Sequence, residues 1–191
     1  MPNVKLLQVT PNYMELTRKA MGECYQRGVG EKTVKGAIKS GHLSVLEHCT
    51  ATFEVTCSTS VLLQLTRHRH LSFTVQSSRG SELTTIYKTG RPDLDKYIEQ
   101  AMVNYKDILD SGVKPQDAAY LLPKAAEYTF VVTGNFRSWY EYLPKRMCKR
   151  AMPEHQELAK MIQKELAKTV PEIFDRDFMN CNNCHERGCE F

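Results

Sequence analysis

The sequence has no apolar run approaching the eighteen or more residues that cross a bilayer. Its first residues also lack the basic, apolar and small-residue succession of an export signal. A soluble chain working in the cytoplasm is the expectation. Internal repeats and low-complexity linkers are missing too, which excludes solenoids and repeat arrays. No glycine-rich phosphate loop occurs, neither G-x-G-x-x-G nor a P-loop, so any phosphate-bearing ligand must be held by side chains. Excess charge is scarce: a formal net charge of +4 suits local binding of small polyanions better than coating a nucleic acid duplex. The seven cysteines are odd in number and scattered, at Cys24, Cys49, Cys57, Cys148, Cys181, Cys184 and Cys189. That pattern reads as reduced thiols, not a disulfide framework.

What is present is an ordinary globular composition, 41% hydrophobic and 25% charged over 191 residues. It is enough for one domain with a real core, or a compact unit that oligomerises. One segment stands apart. Residues 67–79 (RHRHLSFTVQSSR) gather three arginines, two histidines and four hydroxyl side chains into thirteen residues. Unpaired guanidinium groups desolvate badly, so an ordered segment of this kind implies an anionic ligand. Arginine offers a planar bidentate fork to phosphate, and hydroxyls donate to the remaining oxygens. Leu71, Phe73 and Val75 alternate with polar residues, which predicts an ordered, half-buried stretch within it.

Periodicity places a first strand over 4–9, a helix opened by Pro11 to about Gln26, and a short helix over 31–39 stopped by Ser40-Gly41. Ser44 has N-cap character for a turn holding Leu46, Glu47 and His48. Residues 51–57 alternate as a strand with Phe53, Val55 and Cys57 on one face, and Ser60 is placed to cap the helix entering the basic segment. A long amphipathic helix is predicted over 93–110, striped with Leu94, Ile98, Ala101, Met102, Tyr105 and Leu109. A short helix from Pro115 follows, ending near Pro123. A strand over 127–133 breaks at Gly134-Asn135, then come a helix from Phe136 to about Tyr142 and a last helix over 153–170. Without a βαβ rhythm, the expected class is α+β, a single domain with a mixed or antiparallel sheet flanked by helices. His48 is expected to be a hydrogen-bonded core histidine, and Tyr128, Phe130, Trp139, Tyr140 and Tyr142 core or subunit contacts. Glu47, a carboxylate in an apolar turn, requires a partner, either an arginine or a ligand hydroxyl.

Arg67-His68-Arg69, seven residues, then Ser77 gives R-H-R-x7-S, which resembles the signature of the flavin-dependent thymidylate synthases. Further elements resemble that family in the same order. Gly41 to His48 looks like its G-H-x-S-x-x-E-H element, and Gln64 stands three residues before Arg67. Residues 112–118 with Leu122-Pro123 resemble its short helix, and Asn135-Phe136-Arg137 followed by Arg146 resembles its N-x-R…R element. The resemblance covers about residues 1–175 and leaves a Cys-rich tail over 176–191.

The resemblance implies an enzyme that methylates dUMP to dTMP using FAD, NADPH and methylenetetrahydrofolate. It also implies a homotetramer with active sites shared between subunits. Carried across residue by residue, it implies a catalytic Arg146 beside the pyrimidine carbonyl and a signature Ser77 near the substrate. A serine nucleophile would need an adjacent general base and nothing here requires one, so Ser77 is read as a positioning hydroxyl. Gln64, Gln76, Ser77, Ser78, Arg79 and Arg146 would hold the nucleotide, with Arg79 on its phosphate. Arg67, His68, Arg69, Ser44, Glu47, His42, Asn135, Arg137 and Arg150 would hold the flavin.

The chain departs from the pattern at identifiable places. Gly80 stands where the family has a tyrosine, Ala119 where it has an arginine for the nucleotide, and Met152-Pro153 interrupts a segment often reading R-A-Q-W-E. Pro144 is expected to bend or end a helix that otherwise continues. These departures leave open a divergent paralogue that modifies C5 of another pyrimidine nucleotide. The basic segment with interspersed Phe and His also admits a non-enzymatic RNA-binding module, with Arg stacking on bases. The tail offers Cys181, Cys184, His185 and Cys189, but adjacent ligands fit a tetrahedral zinc poorly, so no metal is expected.

Overall fold

Apolar residues at alternate positions give each central strand one core face, and four such strands form an antiparallel sheet in the order β1-β2-β4-β3. The strands are β1 (Asn3–Val9), β2 (Thr50–Ser58), β3 (Leu71–Val75) and β4 (Glu127–Asn135). This computed structural model describes residues 1–179 together with Cys181, Cys184 and Cys189. In the β2–β4 register Phe53 faces Val132 and Val55 faces Phe130, all four buried. On the opposite face the hydroxyls of Thr52 and Thr133, and of Thr56 and Thr129, pair at 2.9 Å.

Helices cover the apolar face: α1 (Tyr13–Tyr25), α2 (Glu31–Lys39), α3 (Thr59–Leu65), α6 (Phe136–Met147), α7 (Pro153–Thr169) and α8 (Pro171–Phe174). A 3₁₀ turn, Ser44–His48, precedes β2. Away from this body run α4 (Pro92–Asp110) and α5 (Pro115–Ala118), the latter continuing as a 3₁₀ turn, Ala119–Leu121. The core is aromatic at its centre. Trp139 meets Phe53 and Tyr142 edge to face at 5.2 and 5.6 Å, and its indole N–H donates to the Ala51 carbonyl at 3.1 Å. Leu158, Ile162, Leu166 and Val170 of the last helical stretch close the core from the other side. Ordered packing reaches Phe178, whose ring meets Tyr140 at 5.1 Å. Among the described residues no helix is long and apolar enough to cross a membrane.

The α+β expectation holds, and the structure corrects its details. Ser58, not Ser60, caps α3, accepting from the Val61 N–H at 3.3 Å. Gly134 does not break the chain but belongs to β4, pairing with Ala51 on one side and Leu71 on the other. A side chain there would press on the Trp139 indole, 3.1 Å from the place of its Cβ. Helix α6 runs through Pro144 to Met147, because Tyr142, Leu143 and Met147 are buried and tertiary packing overrides the one missing N–H. His48 is exposed, not a core residue. Of the apolar stripe of α4 only Tyr105 is fully buried within the chain; Ile98, Ala101, Met102 and Leu109 are half-buried and Leu94 is exposed.

Candidate functional site

The site begins at a junction that fixes where α3 starts. Glu154, 1% exposed at the head of α7, accepts from the Ser58 backbone N–H at 2.8 Å and the Ser58 hydroxyl at 2.5 Å. Burial raises its carboxyl above the ordinary range, against the opposing pull of the Ser58 bonds. Ser58 in turn caps α3, so one buried carboxylate anchors the helix that delivers Gln64 and then the basic turn of Arg67 to His70.

Opposite that turn lies the last turn of α6. Its start is set by Asn135, whose side-chain oxygen accepts from the Ser138 N–H at 2.8 Å. Eleven residues on from Asn135, Arg146 reaches back across the gap. Its Nε–H donates to His68 Nε2 at 2.9 Å, Nη2 to the Gln64 carbonyl at 3.2 Å and Nη1 to Gln64 Oε1 at 3.4 Å. An arginine only donates, so His68 must present a bare Nε2. Burial, then the Arg146 and Lys145 charges, lowers His68 to about 4, consistent with a neutral imidazole as acceptor. His68 also lies edge-on to Tyr142, ring centres 5.0 Å apart.

Two adjoining concavities of about 250 Å³ each open on this face. The first is lined by Arg67, His68, Arg69, Leu71, Tyr142 and Lys145, the second by Glu47, Asn135 and Arg137, and His70, Ser138 and Glu141 border both. Arg137 spans two carboxylates there, at 2.5 Å to Glu47 and 2.8 Å to Glu141, so the partner that Glu47 requires is an arginine. Arg67 and Arg69 are exposed and meet no carboxylate among the described residues. His42 and Ser44 are exposed beside the Glu47 turn, and Arg150 is exposed in the α6–α7 connection.

The other expected nucleotide residues stand elsewhere. Gln76 extends the sheet past β3, its N–H donating to Thr129 O at 3.0 Å and its Oε1 accepting from Thr129 N–H at 3.3 Å. The Ser77 hydroxyl accepts from the Arg79 N–H at 3.2 Å, and Ser77, Arg79 and Gly80 lie exposed in the turn that follows. That turn and the basic turn sit at opposite ends of β3, whose five residues span about 17 Å. One chain therefore brings Gln64, His68 and Arg146 together and holds Ser77–Arg79 apart from them. No buried cysteine competes as a nucleophile: burial pushes the Cys57 and Cys49 thiols up, keeping them protonated. Of the tail's four soft side chains, Cys181, Cys184 and Cys189 are free thiols, and His185 lies outside the described residues.

Sequence reasoning gave no role to Ser58 or His155. The signal was available: residues 154 and 155 lie one turn before Leu158 and in line with Ile162, on the buried stripe of α7. A charged residue and a histidine on such a stripe demand partners.

Residues 5–172 match the family described as thymidylate synthase complementing protein. The chain belongs to this family. Its relatives include the flavin-dependent thymidylate synthase of Clostridium tetani, 30% identical over 225 residues covering 96% of this chain and 90% of the relative. The enzyme of the same name from Saccharolobus solfataricus is 33% identical over 162 residues, 79% of this chain and 62% of its own length. The chain thus spans about 62% of the length of that archaeal relative. Thymidylate synthase X from Helicobacter pylori, solved with FAD and dUMP, shares the fold at a TM-score of 0.82 and 22% identity, covering 92% of this chain and 98% of that one.

Proposed function

We propose that the protein is a flavin-dependent thymidylate synthase, converting dUMP to dTMP with methylenetetrahydrofolate as the carbon donor and NADPH as reductant. The observation that carries this reading is Arg146, a permanent cation held on one side by His68 and Gln64 with further N–H donors left over. Placed against a pyrimidine carbonyl, such a group stabilises the negative charge that develops when C5 is activated. The Helicobacter pylori relative was solved with dUMP and FAD, the ligand pair this reading requires.

The basic concavity fits FAD by its chemistry. Arg67 and Arg69 lack carboxylate partners among the described residues, and Lys145 adds a third cation to the same wall, a donor set suited to a pyrophosphate. The neighbouring hollow of Glu47, Asn135 and Arg137 supplies acceptors and donors for hydroxyls. Bound reduced flavin would supply the hydride equivalent, leaving the protein to position and to stabilise charge. His42, Ser44 and Arg150 border this region.

Gln64 and Arg146 would meet the base, with Ser77, Ser78 and Arg79 meeting the ribose and phosphate. Because β3 separates the two groups, the second comes from another copy of the chain, within a homotetramer. Residues 1–175 carry the site, with 176–191 as the Cys-rich tail, and the enzyme works in the cytoplasm. Gly80 and Ala119 support one competing reading, a paralogue acting on another pyrimidine nucleotide. Turnover of dUMP, UMP and dCMP side by side tests it: activity on dUMP alone supports thymidylate synthesis, and activity only on another nucleotide replaces it.

A further inference from the structure

The nucleotide-facing amide of Gln64 has two possible orientations, and the structure contains the group that fixes it. His155 is fully buried at the start of α7, where its Nδ1 lies 3.4 Å from Gln64 Oε1, the same oxygen that Arg146 Nη1 approaches at 3.4 Å. The Gln64 amide nitrogen points the other way, 3.6 Å from the Met152 sulfur. Arginine has no acceptor, so the Gln64 atom facing Arg146 must be the oxygen, and the His155 nitrogen facing that oxygen must carry a hydrogen. The other imidazole nitrogen, Nε2, is buried and without a partner among the described residues, a bare lone pair. Burial and the nearby Arg146 and His68 lower His155 to about 3, so no second proton restores the alternative.

We propose that His155 is a positioning residue for substrate recognition: its buried Nδ1–H, together with Arg146, locks the Gln64 amide so that an N–H donor faces the substrate. The nucleotide group this serves is an acceptor, a pyrimidine carbonyl or a ribose oxygen. The donor-only guanidinium of Arg146 thereby sets both neighbouring imidazoles in the Nδ1–H tautomer, His68 through its Nε2 and His155 through Gln64. The inference rests on the assignment of Gln64 and Arg146 to the nucleotide.

Two measurements keep its failure distinct from a failure of that assignment. Imidazole ¹⁵N shifts of the full chain, without ligand, report the tautomers directly. Protonated Nδ1 with bare Nε2 on both His155 and His68 is expected, and the Nε2–H form on His155 overturns the proposal whatever the protein binds. In the FAD-loaded protein, His155→Phe keeps an aromatic ring and removes the donor. A rise in the dUMP dissociation constant of about tenfold is expected, with flavin binding and thermal midpoint little changed. His155→Asn returns an N–H and should recover most of that loss. Unchanged dUMP affinity in His155→Phe, or equal loss in both variants, overturns the positioning role. Wild-type protein that shows the expected tautomers yet binds no dUMP overturns the nucleotide assignment instead.

Discussion

Two neutral histidines, His155 fully buried and His68 half-buried, make the protein acid-labile in a way that can be worked out in advance. His68 falls to about 4 and His155 to about 3, both chiefly through burial, while an unfolded histidine titrates near 6.5. The native state therefore stays neutral at both rings while the unfolded chain takes up two protons. Their contribution is intact above about pH 6.5 and is lost as pH falls towards the folded values. Each proton of difference changes the unfolding free energy by about 1.4 kcal/mol per pH unit, so the pair gives about 2.7 kcal/mol per unit between roughly pH 5.5 and 4.5. Glu154 acts in the opposite sense, since its raised native carboxyl binds a proton before the unfolded one does, offsetting up to about 1.4 kcal/mol per unit. Other carboxylates add slopes of their own, so the decisive quantity is a difference between variants. Urea unfolding at half-unit pH steps, wild type against His155→Phe, should show the variant shallower by about 1.4 kcal/mol per unit. Parallel slopes would refute the buried, neutral state of His155.

Four more outcomes follow from the same geometry. Glu154→Ala strips both acceptors from Ser58, leaves a buried N–H unpaired and should cost about 3 kcal/mol in urea unfolding; Glu154→Gln, which keeps one acceptor, should cost about 1. A loss under 1 kcal/mol in the alanine variant would remove Glu154 as the anchor of α3. The Tyr142 hydroxyl is buried without a partner among the described residues, so Tyr142→Phe should leave the thermal midpoint equal or higher, and a marked drop would reveal a bond the geometry does not contain. Arg146→Lys cannot reproduce the three-point clamp and should lower kcat by about a hundredfold with a smaller change in flavin binding; near-normal kcat would argue against Arg146 as the charge-stabilising group. Refolding Arg146→Ala and Ser77→Ala variants together should restore about a quarter of the wild-type sites if each site draws on two subunits, and none if each chain builds its own.

Much of this architecture is legible in the residues because burial and periodicity agree there. The alternation at Phe53, Val55 and Cys57 specifies β2, and the stripe from Leu158 to Val170 specifies α7. The basic turn and the N-x-R element were visible as motifs, and the fold does bring Gln64, His68 and Arg146 within hydrogen-bonding distance. What stayed hidden depended on partners remote in sequence. Pro144 reads as a helix stop until its neighbours Leu143 and Met147 are seen in the core. Gly134 reads as a break until Leu71 and Ala51 are seen on either side of it. Ser60 and Ser58 are equally good caps by type, and only Glu154, 96 residues away, selects Ser58. The α4 stripe announced an amphipathic helix correctly but could not say that most of its apolar face is only half covered within one chain.

Product formation tests the proposed flavin-dependent methylation of dUMP most directly. Purified protein, reconstituted with FAD and given dUMP, methylenetetrahydrofolate and NADPH, should form dTMP, and Arg146→Ala under the same conditions should form essentially none. Bound flavin with no dTMP from wild-type protein, alongside methylation of a different pyrimidine nucleotide, would contradict it.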